Sequence, residues 1–282
     1  MKKTSTMTLL LLILLVLGSE TTALGADTEE TTKVGKDIYF TLGYKSWYNT
    51  WQTPLNTWPD TDGANIISTT SDAVAASIYS ASLKLSDFLI AGSYMTTPEY
   101  TFPDYIDVSN LTGNPTPTAV TGPFYYYKTT AKRKEHDINL GYYVAPGLAL
   151  TIGYKEVKQT YTTTWYNPGV WSETFPPSTT KYAGPIVGIT GGGRLGESNF
   201  AFYGNLSYGF LKGEFEGDPQ KFDATYSSTE LGIAYRPVSF LSFLVGYKYQ
   251  TIDTKFTDDP AFNNQVALDV TKGFILGANL TF

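Results

Sequence analysis

Three lysines occupy one repeated tetrapeptide. Leu42-Gly43-Tyr44-Lys45, Ile152-Gly153-Tyr154-Lys155 and Val245-Gly246-Tyr247-Lys248 all read apolar-Gly-Tyr-Lys. Ammonium groups at one height inside a wall would attract small anions or pair with carboxylates. A turn centred on Pro146 sets Asp137 opposite Lys155. A turn centred on Val238 sets Glu230 opposite Gly246, with Lys248 diagonal to it. Opposite charges on neighbouring strands contribute ~0.2–1 kcal/mol per pair. Lys45 has no such partner in this reading. Lys84, Arg194 and Arg236 form a second basic layer nearer the opposite end. The chemistry on offer is therefore anion attraction in a polar lumen, or a salt-bridged interior with no open path.

Catalytic constellations are scarce. The chain has no cysteine, so a thiol nucleophile is impossible. His136, the one imidazole, has the outward parity of its strand and lacks a placed nucleophile. Asp60-Thr61-Asp62-Gly63 lacks the later ligands of a calcium loop and reads as an acidic loop tip. Gly191-Gly192-Gly193 lies within a strand and is not a phosphate loop. No catalytic residue, metal site or cofactor is expected.

The elements that must position these residues are strands. The clearest is the last segment, Gln265 to Phe282. Its alternate residues Phe282, Leu280, Ala278, Leu276, Phe274, Lys272, Val270, Leu268 and Val266 are apolar but for Lys272. The other parity is small or polar apart from Ile275. Such alternation gives one oily and one wet face. This ending resembles the last strand of bacterial outer-membrane β-barrels, which closes the barrel and ends in an aromatic residue. The resemblance is to the class. It implies that Phe282 is read by the barrel-assembly machinery during insertion. The omptin proteases, which also have ten strands, resemble this chain in architecture alone; their paired aspartates facing an Asp-His pair have no clear counterpart here.

Ten strands are expected, at 37–47, 74–85, 88–97, 133–144, 148–158, 182–195, 200–211, 222–236, 240–252 and 265–282. Four short turns alternate with five longer connections. Short turns face the periplasm and long loops face outside in single-chain bacterial barrels. The expected fold is thus an all-β, antiparallel, up-and-down transmembrane barrel. A hairpin hidden in residues 98–128 and another in 159–181 would make it twelve. Trp47, Trp51, Trp58, Trp165 and Trp171 fall on the loop side, as interfacial anchors or as an exposed binding surface.

Residues 1–25 read as a signal peptide: Lys2 and Lys3, nine apolar residues from Leu9 to Leu17, then Ala23-Leu24-Gly25-Ala26. Cleavage is expected after Gly25 or Ala26. Residues 26–36 form a flexible lead and 37–282 a single barrel domain. The net charge of −6 becomes −7 when Lys2, Lys3 and Glu20 are removed, which argues against nucleic acid as a partner. Aromatic residues make up 15% of the chain, 22 of them Tyr, which suits interfacial girdles. The expected location is the bacterial outer membrane, with lipid and small polar solutes as partners.

The leading expectation is a narrow pore for small polar or anionic solutes. It rests on Lys45, Lys155 and Lys248, with Asp137 and Glu230 as counter-charges. The alternatives are a closed barrel displaying its loops for surface binding or envelope integrity, and an outer-membrane hydrolase. Ten strands lie near the size at which side chains fill the lumen.

Overall fold

The computed structural model describes residues 38–56, 67–96, 99–103, 105–107, 125–167, 171–217, 221–255 and 266–282. The signal peptide, the lead, Trp58 and Asp60-Thr61-Asp62-Gly63 lie outside the described residues. Ten long strands form one ring. They are β1 (Ile38–Asn56), β2 (Val74–Leu85), β3 (Phe88–Thr96), β4 (Tyr125–Ala145), β5 (Leu148–Asn167), β6 (Ser178–Arg194), β7 (Phe200–Phe215), β8 (Lys221–Val238), β9 (Leu241–Lys255) and β10 (Val266–Thr281). Each pairs antiparallel with its sequence neighbours. The ring closes where β1 meets β10, from Thr41 opposite Thr281 to Gln52 opposite Val270. Phe282 and Phe40 then exchange backbone N–H···O bonds of 2.8 and 3.0 Å. Closure leaves no free edge, which a lipid environment requires.

Alternation decides which way each side chain points. On β10, Phe274, Leu276, Leu280 and Phe282 face outward, and Phe274 is 65% exposed. Gly273 and Ile275, of the other parity, face the lumen and are buried. The same rule puts Ile38, Phe40 and Leu42 of β1, Ile138 and Leu140 of β4, and Val245 of β9 outside. Together they make an apolar belt that would be untenable in water and suits lipid. Aromatic pairs border the belt. Phe88–Tyr142 and Phe200–Tyr235 lie near the turn end, while Tyr44–Tyr79 and Tyr247–Phe274 lie toward the loop end.

The four tight connections fall at Ser86-Asp87, Pro146-Gly147, Leu195–Asn199 and Ser239-Phe240. Gly147 takes a φ of 73°, a left-handed value that a side chain disfavours. The strands are longer than alternation indicates, and the excess lies at the loop end. β4 has 21 residues and β5 has 20, against the ~9–11 that cross a bilayer. About half of each therefore projects. The expected loops at 98–128 and 159–181 accordingly give way in part to strand. Residues 67–70, 100–101, 105–107 and 171–174 add short segments that pair with β1, β4, β4 and β5. They extend hairpins of the ten-stranded ring and do not raise its count to twelve.

Candidate functional site

The lumen contains the chemistry, and its central feature is Glu135. The inward parity of β4 places Arg133, Glu135 and Asp137 in one column. Glu135 Oε1 accepts from Arg133 Nε at 2.7 Å and from Gln250 Nε2 at 2.7 Å. Its Oε2 lies 2.8 Å from Lys155 Nζ. Lys155 also reaches Asp137 at 3.5 Å, in the register expected from the Pro146 turn. Asp137 is held in place by Ser93 Oγ and Asn139 Nδ2, each donating at 2.8 Å. Arg133 donates from Nη1 to Thr271 on β10 at 2.7 Å. Glu135 and Lys155 are 3% and 2% exposed.

These bonds bridge the barrel rather than line it. In a ring of ten, β4 and β9 stand on opposite walls. The Glu135–Gln250 bond therefore crosses the full lumen, and Arg133–Thr271 nearly does. A buried carboxylate with two cations and a neutral amide satisfies most of its acceptor capacity. Such an array is held from several strands at once, and loss of Glu135 would remove the shared carboxylate of two buried cations.

A second layer lies toward the loop end. Trp51 packs on Tyr100, Phe102 and Tyr161 with ring centroids 5.3, 5.7 and 5.4 Å apart. Its Nε1 donates to Asp269 Oδ1 at 3.1 Å, and Arg133 lies over its ring. Tyr161 donates to Gln159, and Tyr100 donates to Asn49. Beside this, Val157, Tyr182, Ile186, Leu211, Phe222 and Ile252 form an apolar core inside the projecting wall. Trp47 and Trp51 are 0% exposed, so neither is an interfacial anchor nor part of an exposed surface. Their odd numbering on β1 gives them the parity of Lys45, which turns them inward.

The three repeated lysines all face the lumen, and each is engaged. Lys45, expected to lack a partner, donates to Glu230 of β8 at 2.5 Å. The pairing expected for Glu230 is corrected. It faces Lys248 directly, while Gly246 faces Gly232. The turn is Ser239-Phe240, and β8 carries an extra residue between Tyr235 and Val238. Pro237, with no N–H to give the ladder, sits in that bulge. Lys248 lies over the ring of Trp47, and Lys155 over that of Tyr226. The tyrosines of the motif, Tyr44, Tyr154 and Tyr247, face outward. The paired glycines Gly232 and Gly246 leave room for the Tyr203 ring; a methyl at Gly232 would meet that ring at 2.6 Å. A neighbour's side chain fills that space, which is not part of a continuous bore.

The basic lower layer is also revised. Lys84 faces the lumen, between the rings of Tyr39 and Tyr143 at 5.6 and 4.9 Å. Arg194 does not join it. β6 ends there, and its exposed guanidinium donates to the carbonyls of Ser198 and Glu197 in its own turn. Arg236 stands half-buried beside the Pro237 bulge. His136 points outward, 3.9 Å from Glu156 of β5, on the wall face opposite to Asp137. No cluster of three or more metal-ligating side chains occurs among the described residues. The site residues missed from the sequence are Arg133, Glu135, Gln159, Gln250, Asp269 and Thr271. Their common signal was inward parity; Gln159 alone lay beyond its expected strand, and what the sequence could not show was which residues meet across the closed ring.

No family model matches the chain, and no curated protein matches it either. Among solved structures, the chain is similar to the outer membrane protease OmpT from Escherichia coli, with a TM-score of 0.53 at 15% identity, over 91% of this chain and 100% of that one. Weaker likenesses include the P. putida toluene transporter TodX, at a TM-score of 0.32 and 7% identity over 94% and 95% of the two chains. OprG from Pseudomonas aeruginosa gives 0.32 and 10% over 92% and 99%. At these identities the likeness is one of fold: a closed antiparallel barrel of the outer-membrane kind.

Proposed function

We propose that the chain is an outer-membrane barrel, closed at mid-height, whose rigid upper wall displays the long connections at the cell surface for binding or envelope integrity. It acts as a platform and not as an enzyme. The observation that carries this reading is the Glu135–Gln250 bond across the lumen, backed by the Trp51 layer above it. Projecting strands filled with aromatics hold their connections on a stiff base. Labelling tests the placement. The chain has no cysteine, so single cysteines can be introduced at Thr164, at the loop end, and at Ser198, at the turn end. An impermeant maleimide should label the first on intact cells and the second only after the outer membrane is permeabilised. The reverse pattern, or no labelling of either, overturns the placement. Replacing residues 109–123 by a short Gly-Ser linker should abolish surface binding while heat-resistant folding persists.

The second reading is passive passage of small polar or anionic solutes. It is favoured by the polar lumen around Lys45 and Lys84. It requires the Glu135 array to part, so solute flux should rise steeply in variants that remove Gln250 or Glu135.

A further inference from the structure

Below the charged array the lumen is not filled. A cavity of about 220 Å³ opens between β1, β2, β4, β6, β7 and β8 and reaches the Pro146-Gly147 turn. At ~30 Å³ per water, it has room for about seven. Asn205 and Thr190 face this space, and Asn205 is exposed although its parity is inward. Lys45 and Glu230 form its inner end, where the 2.5 Å ion pair meets the well. Lys84 and Tyr143 lie on its wall toward the turn end. The Lys84 ammonium has no carboxylate within ion-pair distance among the described residues. Its neighbours are the two tyrosine faces, which stabilise a cation without neutralising it. Tyr203, beside Lys45, has a buried hydroxyl with no hydrogen-bond partner among the described residues. Among the described residues, two lysines against one carboxylate leave the well with a positive balance.

We infer that this blind well is a binding site for a small oxyanion, a carboxylate or phosphate entering from the turn end. Lys84 supplies the charge, and Asn205, whose Oδ1 accepts from Ser207, supplies its amide N–H groups from the facing wall, where the Thr190 hydroxyl donates to the Gly204 carbonyl. The aromatic clamp on Lys84 fixes its ammonium in advance, which lowers the ordering cost of binding. The inference does not depend on what the loops display, so its failure would leave the closed-barrel reading untouched.

The test uses the full barrel folded in detergent micelles at low ionic strength. Inorganic phosphate and acetate are titrated separately by calorimetry and by ¹⁵N chemical shifts. At least one should saturate a single site, with shifts confined to residues around Thr190, Tyr203 and Asn205. Lys84→Gln should weaken that binding at least tenfold, while Lys84→Arg retains it. Lys134→Gln, on the outer face, should leave it unchanged. Absence of saturation with both anions, or equal loss in Lys84→Gln and Lys134→Gln, overturns the assignment. Retained binding in Lys84→Gln overturns it as well.

Discussion

Glu135 of β4 and Gln250 of β9 meet at 2.7 Å across the widest span of the ring. Two strands separated by 115 positions in sequence are thus tied together through the lumen, not around the wall. The lumen is crossed by a hydrogen-bonded structural member at the height of Glu135.

The array around Glu135 should dominate stability. Glu135→Gln removes the carboxylate shared by Arg133 and Lys155, both buried, and leaves Lys155 only the longer contact to Asp137. Breaking a buried pair costs about 3–5 kcal/mol. The urea midpoint of the folded barrel in lipid vesicles should fall accordingly. The triple replacement Arg133→Met, Glu135→Leu, Lys155→Met should recover most of the loss, because apolar side chains of similar volume remove the desolvation cost. No recovery would mean that the array contributes through something other than charge compensation.

Trp51 anchors the second layer. Trp51→Ala removes three ring contacts and the bond to Asp269. A buried Trp→Ala change costs about 3–5 kcal/mol. Trp51→Phe, which keeps most of the packing, should cost less. Chemical unfolding followed by the mobility shift of folded barrel on gels would separate the two.

The outer belt should respond as a lipid surface. Ile152→Arg and Leu276→Arg place a cation on the outer face, at side chains more than half exposed. Each should cost about 2–4 kcal/mol if it lies near the bilayer midplane. Thr164→Arg, in the projecting wall, should be close to neutral. Equal cost at all three positions would place the membrane elsewhere on the barrel.

The membrane half of this fold was legible because lipid and water impose opposite demands on successive residues. Leu276 and Phe274 could point only one way. Above the membrane that contrast fades. Thr160, Thr162 and Thr164 suit either face, so the end of β5 read as loop although its ladder continues to Asn167. Trp47 and Trp51 were misplaced because tryptophan suits an interface as well as a core; parity with Lys45 was the deciding cue. The Asp137–Lys155 register followed from a simple turn. The Glu230 register did not, because the turn falls at Ser239-Phe240 instead of Val238; the Pro237 bulge offsets only one residue of that shift. Lys45–Glu230 joins strands three apart in the ring, a relation visible only once the barrel closes.

The most direct measurement is single-channel recording of the purified barrel in planar bilayers. The closed interior predicts insertion without steady ohmic current in the wild type, and current steps on removing the side chains of Glu135 and Gln250 together. A stable wild-type conductance whose ion selectivity changes when Lys45, Lys155 and Lys248 are replaced would contradict the account.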